Sequence, residues 1–361
     1  MDDKLPACKR QLAKQRERLM KYPGVLQLGI GRRRKGGHLT DELCIIVSVK
    51  EKLPLSGLSP QAIIPRELEE GITTDVQQIR FLEPLTVSNR TLAITPAALT
   101  SRQRPCPGGY SVGHRLITAG TFGILVRRGT APGFYICSNN HVLANSNEAA
   151  IGDGVLQPGP YDGGQDEDRI GSLSAYVQIN FPGQGKEKKR AAALFWSAAK
   201  WIPNQSSKLT GCANRLVVQA EGVIQQPNPN LVDAAIALAA SESFVDPRIG
   251  PPLLVVEGIR DLALGDRVKK WGRTTSFTEG YVDQVSVVSN VNYGNGVAVF
   301  EDQIAIRSDS GEFSAGGDSG SAILTADNYW SGLLFAGGEG VTIANRVSHV
   351  LSFLGIRLPT E

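Results

Sequence analysis

From residue 118 onward the chain is a succession of short apolar runs, each closed by turn-forming residues, and that pattern leaves few folds open. Strand-length runs occur at 123–127, 134–138, 170–179, 215–220, 268–271, 280–288, 297–306, 322–324 and 332–335. Strands this brief, with few helices among them, point to an antiparallel β barrel or a pair of barrels. The 40 glycines and 20 prolines are scattered between the runs, where they act as turn residues and not as a collagen or low-complexity signature. No solenoid or propeller repeat is present.

The residues before this region read differently. Residues 5–22 have helical spacing, with Leu5, Cys8, Leu12, Leu19 and Met20 near one face, and Pro23-Gly24 stops the helix. Strand-like runs follow at 25–31 and 42–50. The polar stretch between them, Arg32 to Gly37, is expected to be a solvated hairpin tip and not a phosphate patch. Short pieces at 62–65 and 74–81 complete a small α+β unit. Residues 83–114, rich in Pro, Thr, Ser and Gly, read as a linker or a meandering entry into the next unit. This divides the 361 residues into an N-terminal α+β regulatory or assembly domain, 1–95, and a β domain, 96–361. Inside the second, the segment at about 185–202 breaks the β pattern. Its basic start (Lys186, Lys188, Lys189, Arg190) and its aromatic body predict an inserted helix on the surface.

Charge and cysteine usage narrow the partners. A net charge of +3 gives no nucleic-acid footprint for the chain as a whole. The first residues lack the basic-then-apolar build of a signal peptide, and no uncharged apolar stretch is long enough to span a bilayer. The five cysteines (Cys8, Cys44, Cys106, Cys137, Cys212) are odd in number and have no close pair spacing, so a reduced cytoplasmic location is expected. No His, Cys and Asp cluster has zinc-ligand spacing, so neither a metal nor another cofactor is expected. The glycines at 31–37 and 183–186 lack the full phosphate-loop spacing.

Three segments together carry chemistry. Nucleophilic acyl transfer needs a hydroxyl, an imidazole to take its proton, a carboxylate to hold the imidazole, and N–H donors for the developing oxyanion. His141 follows the apolar run Tyr135-Ile136-Cys137-Ser138 and a polar Asn139-Asn140 turn. Asp233 leads the uncharged run Ala234-Ala235-Ile236-Ala237-Leu238, where a buried carboxylate needs a partner. Ser319 lies in Gly316-Gly317-Asp318-Ser319-Gly320-Ser321, whose glycines allow a tight turn with close-lying N–H groups. Taken singly, each has a plain structural reading; the other histidines, His38, His114 and His349, are assigned structural roles.

These three segments resemble those of chymotrypsin-fold serine proteases of the trypsin-like and HtrA-like bacterial branch. Arg104 to Gly109, Gly120 to Gly123, Trp271 to Thr275 and Gly332 to Gly337 are similar to a cytoplasmic subgroup that includes plant narrow-leaf-type proteases. The resemblance covers residues 108 to 361, and more weakly the N-terminal unit. It implies a mainly β, two-barrel chymotrypsin-like protease domain preceded by the small α+β domain. It further implies that Ser319 attacks a peptide carbonyl, His141 acts as base and then acid, and Asp233 orients it. The N–H groups of Gly317 and Ser319 would form the oxyanion hole. Phe335, Ala336 and Gly337 would line the cleft and pair with substrate backbone, while Phe313, six places before the serine, makes a pocket for Arg or Lys side chains unexpected.

The chain departs from the family pattern in two places. No Ile-Val-Gly-Gly-like start precedes Gly120, so Asp318 is expected to cap its own loop through local N–H groups. No PDZ-like module follows the barrel. The reading is a serine endopeptidase acting on protein or peptide, with an activating partner protein and oligomer formation both compatible with it. The alternative is a protease-like protein that binds a peptide or partner and is held inactive until triggered; an esterase on the same residues is the third reading.

Overall fold

The computed structural model describes residues 4–80, 82–85, 97–117, 119–182, 222–338 and 340–360. Within these residues the chain is mainly β, and two sheets come round on themselves. In the second, Arg267–Gly272 pairs with both Ala322–Thr325 and Ser276–Asn292. The order 267–272, 322–325, 329–338, 341–346, 297–307, 276–292 is therefore closed. Inward and outward residues alternate along these strands, as a filled barrel requires.

The first barrel runs in the order 124–128, 135–138, 235–239, 169–177, 154–156, 111–114, 120–121. Its first and last strands, Ile124–Arg128 and Gly120–Thr121, are two halves of one stretch interrupted at Phe122-Gly123, so the ring completes itself. The break exists because Phe122 bonds back to Tyr110 and Gly109 while Gly123 bonds to the Cys137 carbonyl. Ile356–Arg357 adds to the end of this sheet beside Arg127 and Arg128. The two barrels pack through a shared apolar layer that includes Ile124, Val126, Val177 and Ile236 from the first. Leu324, Trp330 and Leu333 come from the second, and Val350 and Leu354 from the helix Val347–Leu354.

The N-terminal elements extend the second sheet. The helix Leu5–Leu19 lays Cys8, Leu12 and Leu19 into the core cluster that also contains Leu28, Ile30, Ile45 and Val47. The hairpin Val25–Lys35/His38–Val49 then pairs with Ser276–Asn292, Gln27 opposite Ser289 and Gly31 opposite Gln284. Thr74–Gln78 adds in parallel to its far side.

Several expectations need correction. Arg32 to Lys35 is not a solvated tip; it is strand, and the turn is confined to Gly36-Gly37. Cross-strand charge explains the extension: Arg33 pairs with Glu42 at 3.1 Å and Arg34 with Asp283 at 3.1 Å. The stretch read as a linker at 83–114 contains the strands Glu83–Pro84, Cys106–Gly108 and Ser111–His114 and a helical turn, Ala97–Thr100. The helix expected at 185–202 and the strand expected at 215–220 lie outside the described residues. Among the described residues no helix is long and apolar enough to cross a membrane.

Candidate active site

His141 sits in a one-turn helix, Asn140–Leu143, directly after the strand Tyr135–Ser138. The polar residues around it fasten that turn to the first barrel. Asn139 donates to the Asp233 carbonyl at 2.7 Å, and Asn140 donates to the Val177 carbonyl at 2.6 Å. Asp233 enters just ahead of the strand Ala235–Ala239, which pairs with Tyr135–Ser138. That adjacency carries the carboxylate to the imidazole, with His141 Nδ1 2.6 Å from Asp233 Oδ2.

Both side chains are buried, so an unpaired carboxylate there would be costly. Asp233 is well supplied with donors. Its Oδ1 accepts from the His141 backbone N–H at 3.3 Å, and its Oδ2 also accepts from the Tyr293 hydroxyl at 2.7 Å. Burial, and then the Asp233 charge beside it, push the Tyr293 phenol well above its ordinary value, so it stays a donor. With Nδ1 donating to the carboxylate, Nε2 is the accepting nitrogen; it is buried and without a protein partner.

Ser319 lies on a turn bounded by Gly317 (φ +99°) and Gly320 (φ +94°), left-handed positions that favour glycine. A Cβ at Gly320 would also collide with Ser138 and the Thr121 carbonyl. Thr121 of the first barrel holds this turn of the second: its N–H donates to the Ser319 carbonyl at 2.7 Å and its hydroxyl to the Gly317 carbonyl at 2.9 Å. The same hydroxyl accepts from the Arg273 N–H at 3.0 Å. The Arg273 guanidinium forms a buried ion pair with Asp162 of the first barrel, which also accepts from Ser111 at 2.6 Å. The stretch Trp271 to Thr275 is thus a strut between the barrels.

Asp318 does not cap its loop through local N–H groups alone, as expected. One local donor, the Ala315 N–H, reaches it at 3.0 Å. The rest come from the neighbouring strand end: the N–H groups of Thr274 (2.8 Å) and Thr275 (3.1 Å), and the Thr275 hydroxyl (2.7 Å). Lys270, fully buried, places its ammonium 3.5 Å from the carboxylate. Burial lowers the Lys270 pKa against the opposing pull of Asp318.

Of the cleft residues named from sequence, Phe335, Ala336 and Gly337 lie along the strand Tyr329–Gly338, and all three are buried. Phe313 is buried in the cluster to which Leu334 belongs. The Ser319 hydroxyl donates to the Phe335 carbonyl at 3.0 Å. The Gly317 N–H donates to the carbonyl of Leu85, and Ala336 and Gly337 pair with Pro84 and Glu83. Beside His141 and Tyr293 opens a cavity of about 410 Å³, lined also by Pro84, Leu116, Ile117 and Asn145. Two parts of this arrangement, Tyr293 and Lys270, were missed by sequence reasoning.

No family model matches the chain, and no curated protein matches it in sequence. Solved structures do show likeness at low identity. A glutamic acid-specific serine protease is 18% identical over 70% of this chain and 100% of its own, with a TM-score of 0.44. Protease A of Thermobifida fusca is 16% identical over 70% and 98%, at 0.41. Alpha-lytic protease homolog N4 is 16% identical over 70% and 98%, at 0.42.

Proposed function

We propose that the protein is a serine endopeptidase in which Ser319 is the nucleophile, His141 the proton carrier and Asp233 its orienting carboxylate. The observation that carries this reading is the buried His141–Asp233 pair, with Nε2 left unpartnered and Ser319 on a glycine turn across the barrel interface. A carboxylate fixed on Nδ1 makes Nε2 the base, and stabilises the imidazolium once the Ser319 proton has moved to it. The oxyanion would be received by the N–H of Gly317 together with that of Ser319. The acyl-enzyme is then opened by water, with His141 as base for the water and acid for Ser319. Phe335, Ala336 and Gly337 supply a strand edge to which an extended peptide adds, which favours peptide over small ester.

The test compares fluorophosphonate labelling of the wild type and Ser319→Ala. Covalent labelling confined to the wild type is expected, together with loss of peptidase activity in a variant that melts at the wild-type temperature. Peptidase activity unchanged in Ser319→Ala would defeat the assignment. The reading as a binding protein held inactive is favoured by one contact: the Ser319 hydroxyl faces the Phe335 carbonyl instead of His141. A folded wild type that binds peptide tightly and never labels would decide for it.

A further inference from the structure

The strand edge of the cleft already carries a peptide, and it is the chain's own. Glu83–Pro84 pairs antiparallel with Tyr329–Gly338, Glu83 opposite Gly337 and Pro84 opposite Ala336. One residue on, the Leu85 N–H donates to the Phe335 carbonyl at 3.3 Å. The Ser319 hydroxyl bonds the same carbonyl at 3.0 Å, which makes the serine and the Leu85 amide neighbours. The Leu85 carbonyl oxygen accepts from the Gly317 N–H. The Leu85 side chain packs, partly buried, against the core cluster that contains Phe313 and Leu334. A Cβ at Gly337 would stand 3.1 Å from Leu85 Cδ1, so the bare glycine is what leaves room for it.

Direction and register decide what this occupant is. A segment that merely blocks the cleft could run either way along the strand and put any atom near Ser319. Here the chain runs antiparallel to the edge strand, and its carbonyl meets the Gly317 N–H, one of the two assigned to the oxyanion. We propose that the bond following Leu85 is the enzyme's own cleavage site, and that the space between the Phe313 cluster and Gly337 accepts a leucine-type side chain. This rests on the peptidase reading above. Ser319 Oγ turns from the Phe335 carbonyl to His141, gives its proton to Nε2 and bonds the Leu85 carbonyl carbon. The carbon–nitrogen bond then breaks, and the His141 proton leaves with the new amine. Water, giving a proton to His141, opens the ester; Leu85 becomes a carboxylate and Ser319 regains its hydrogen. After the cut the N-terminal piece stays bound through the hairpin 25–49, which remains paired with 276–292, while its freed end at 83–85 leaves the cleft open to substrate.

Purified full-length wild type, Ser319→Ala and Leu85→Asp are incubated, and intact mass is followed beside fluorophosphonate labelling. The wild type is expected to yield a fragment ending at Leu85 while Ser319→Ala stays whole. Leu85→Asp is expected to cut at that bond at least about 100-fold more slowly, a carboxylate being poorly held in an apolar pocket, and still to label. Labelling without a cut after Leu85 overturns self-cleavage and leaves the peptidase reading standing. Neither label nor cut in the wild type takes down both, and a cut that persists in Ser319→Ala overturns self-cleavage. A second measurement does not depend on the variant's folding: acetyl-Glu-Pro-Leu-p-nitroanilide against acetyl-Glu-Pro-Lys-p-nitroanilide on the wild type. The leucine substrate is expected to have a kcat/KM at least about 100-fold higher; equal or reversed values overturn the pocket assignment.

Discussion

Replacing Lys270 by Met tests whether a buried ion pair holds the loop that carries Ser319. Lys270 and Asp318 are both fully buried, with 3.5 Å between ammonium and carboxylate. Removing one partner of such a pair typically costs about 3–5 kcal/mol, since the other charge is left in low dielectric. Asp318 would keep four donors, from Ala315, Thr274 and the N–H and hydroxyl of Thr275. These soften the loss, so the low end, about 3 kcal/mol, is expected for Lys270→Met. Asp318→Asn alone leaves an unpaired ammonium and should cost a similar amount. The double variant removes both charges and should lie within about 1 kcal/mol of the better single variant, giving a coupling of about 2 kcal/mol or more. Urea unfolding of the four proteins at pH 7 reads this directly. A stability for Lys270→Met within about 0.5 kcal/mol of wild type would refute the reasoning, since an exposed pair behaves that way.

Two other outcomes follow from the geometry. Tyr293→Phe removes one of the donors on the Asp233 carboxylate, an interaction with a charged acceptor that is worth about 1.5–3 kcal/mol. Peptidase kcat should fall roughly ten-fold or more at unchanged KM, and the melting temperature should drop by several degrees; a change confined to KM would make Tyr293 a cleft-wall residue only. Asp246 is held below its ordinary value first by the Arg248 side chain, so its stabilisation is present above about pH 4 and is lost as pH falls through the depressed value. Asp246→Asn should therefore unfold about 1–2 kcal/mol more easily at pH 7, with the difference shrinking as pH falls below about 4; a difference that stays constant as the pH is lowered would contradict the pairing.

The site residues that were legible in the sequence are those whose chemistry imposes a local pattern. A glycine on either side of Ser319, and an uncharged run behind Asp233, follow from turn geometry and from burial, and both can be read within a dozen residues. The strands of the barrels were legible for the same reason, since their inward and outward alternation is local. Lys270 was partly legible: it occupies an inward position between Val268 and Gly272 in an alternating strand, and an inward lysine requires a buried anion. Tyr293 carried less signal, being an aromatic residue inside a glycine-rich hairpin tip. The pairing of residues 83–85 with 336–337 carried none. Its proline and threonine neighbours read as linker, and only tertiary register places them against a strand far along the chain. Arg32 to Lys35 failed for a related reason, because the carboxylates that keep those residues in strand, Glu42 and Asp283, come partly from the other barrel strand.

The closing strand Ile356–Arg357 and the helix before it have a consequence for the order of assembly. They cover the first barrel at Arg127 and Arg128 and fill the layer between the barrels, although the first barrel's own strands end at Ala239. On a ribosome, His141 and Asp233 would emerge long before the residues that seal the surface beneath them. Domains made at about 5–20 residues per second fold as their parts appear. This one would wait until residues 347–357 have left the exit tunnel. Nascent chains would therefore hold half of the chemistry without the serine, and then the serine without a finished interface. On the peptidase reading, proteolytic competence arrives only once residues 347–357 have joined the first barrel.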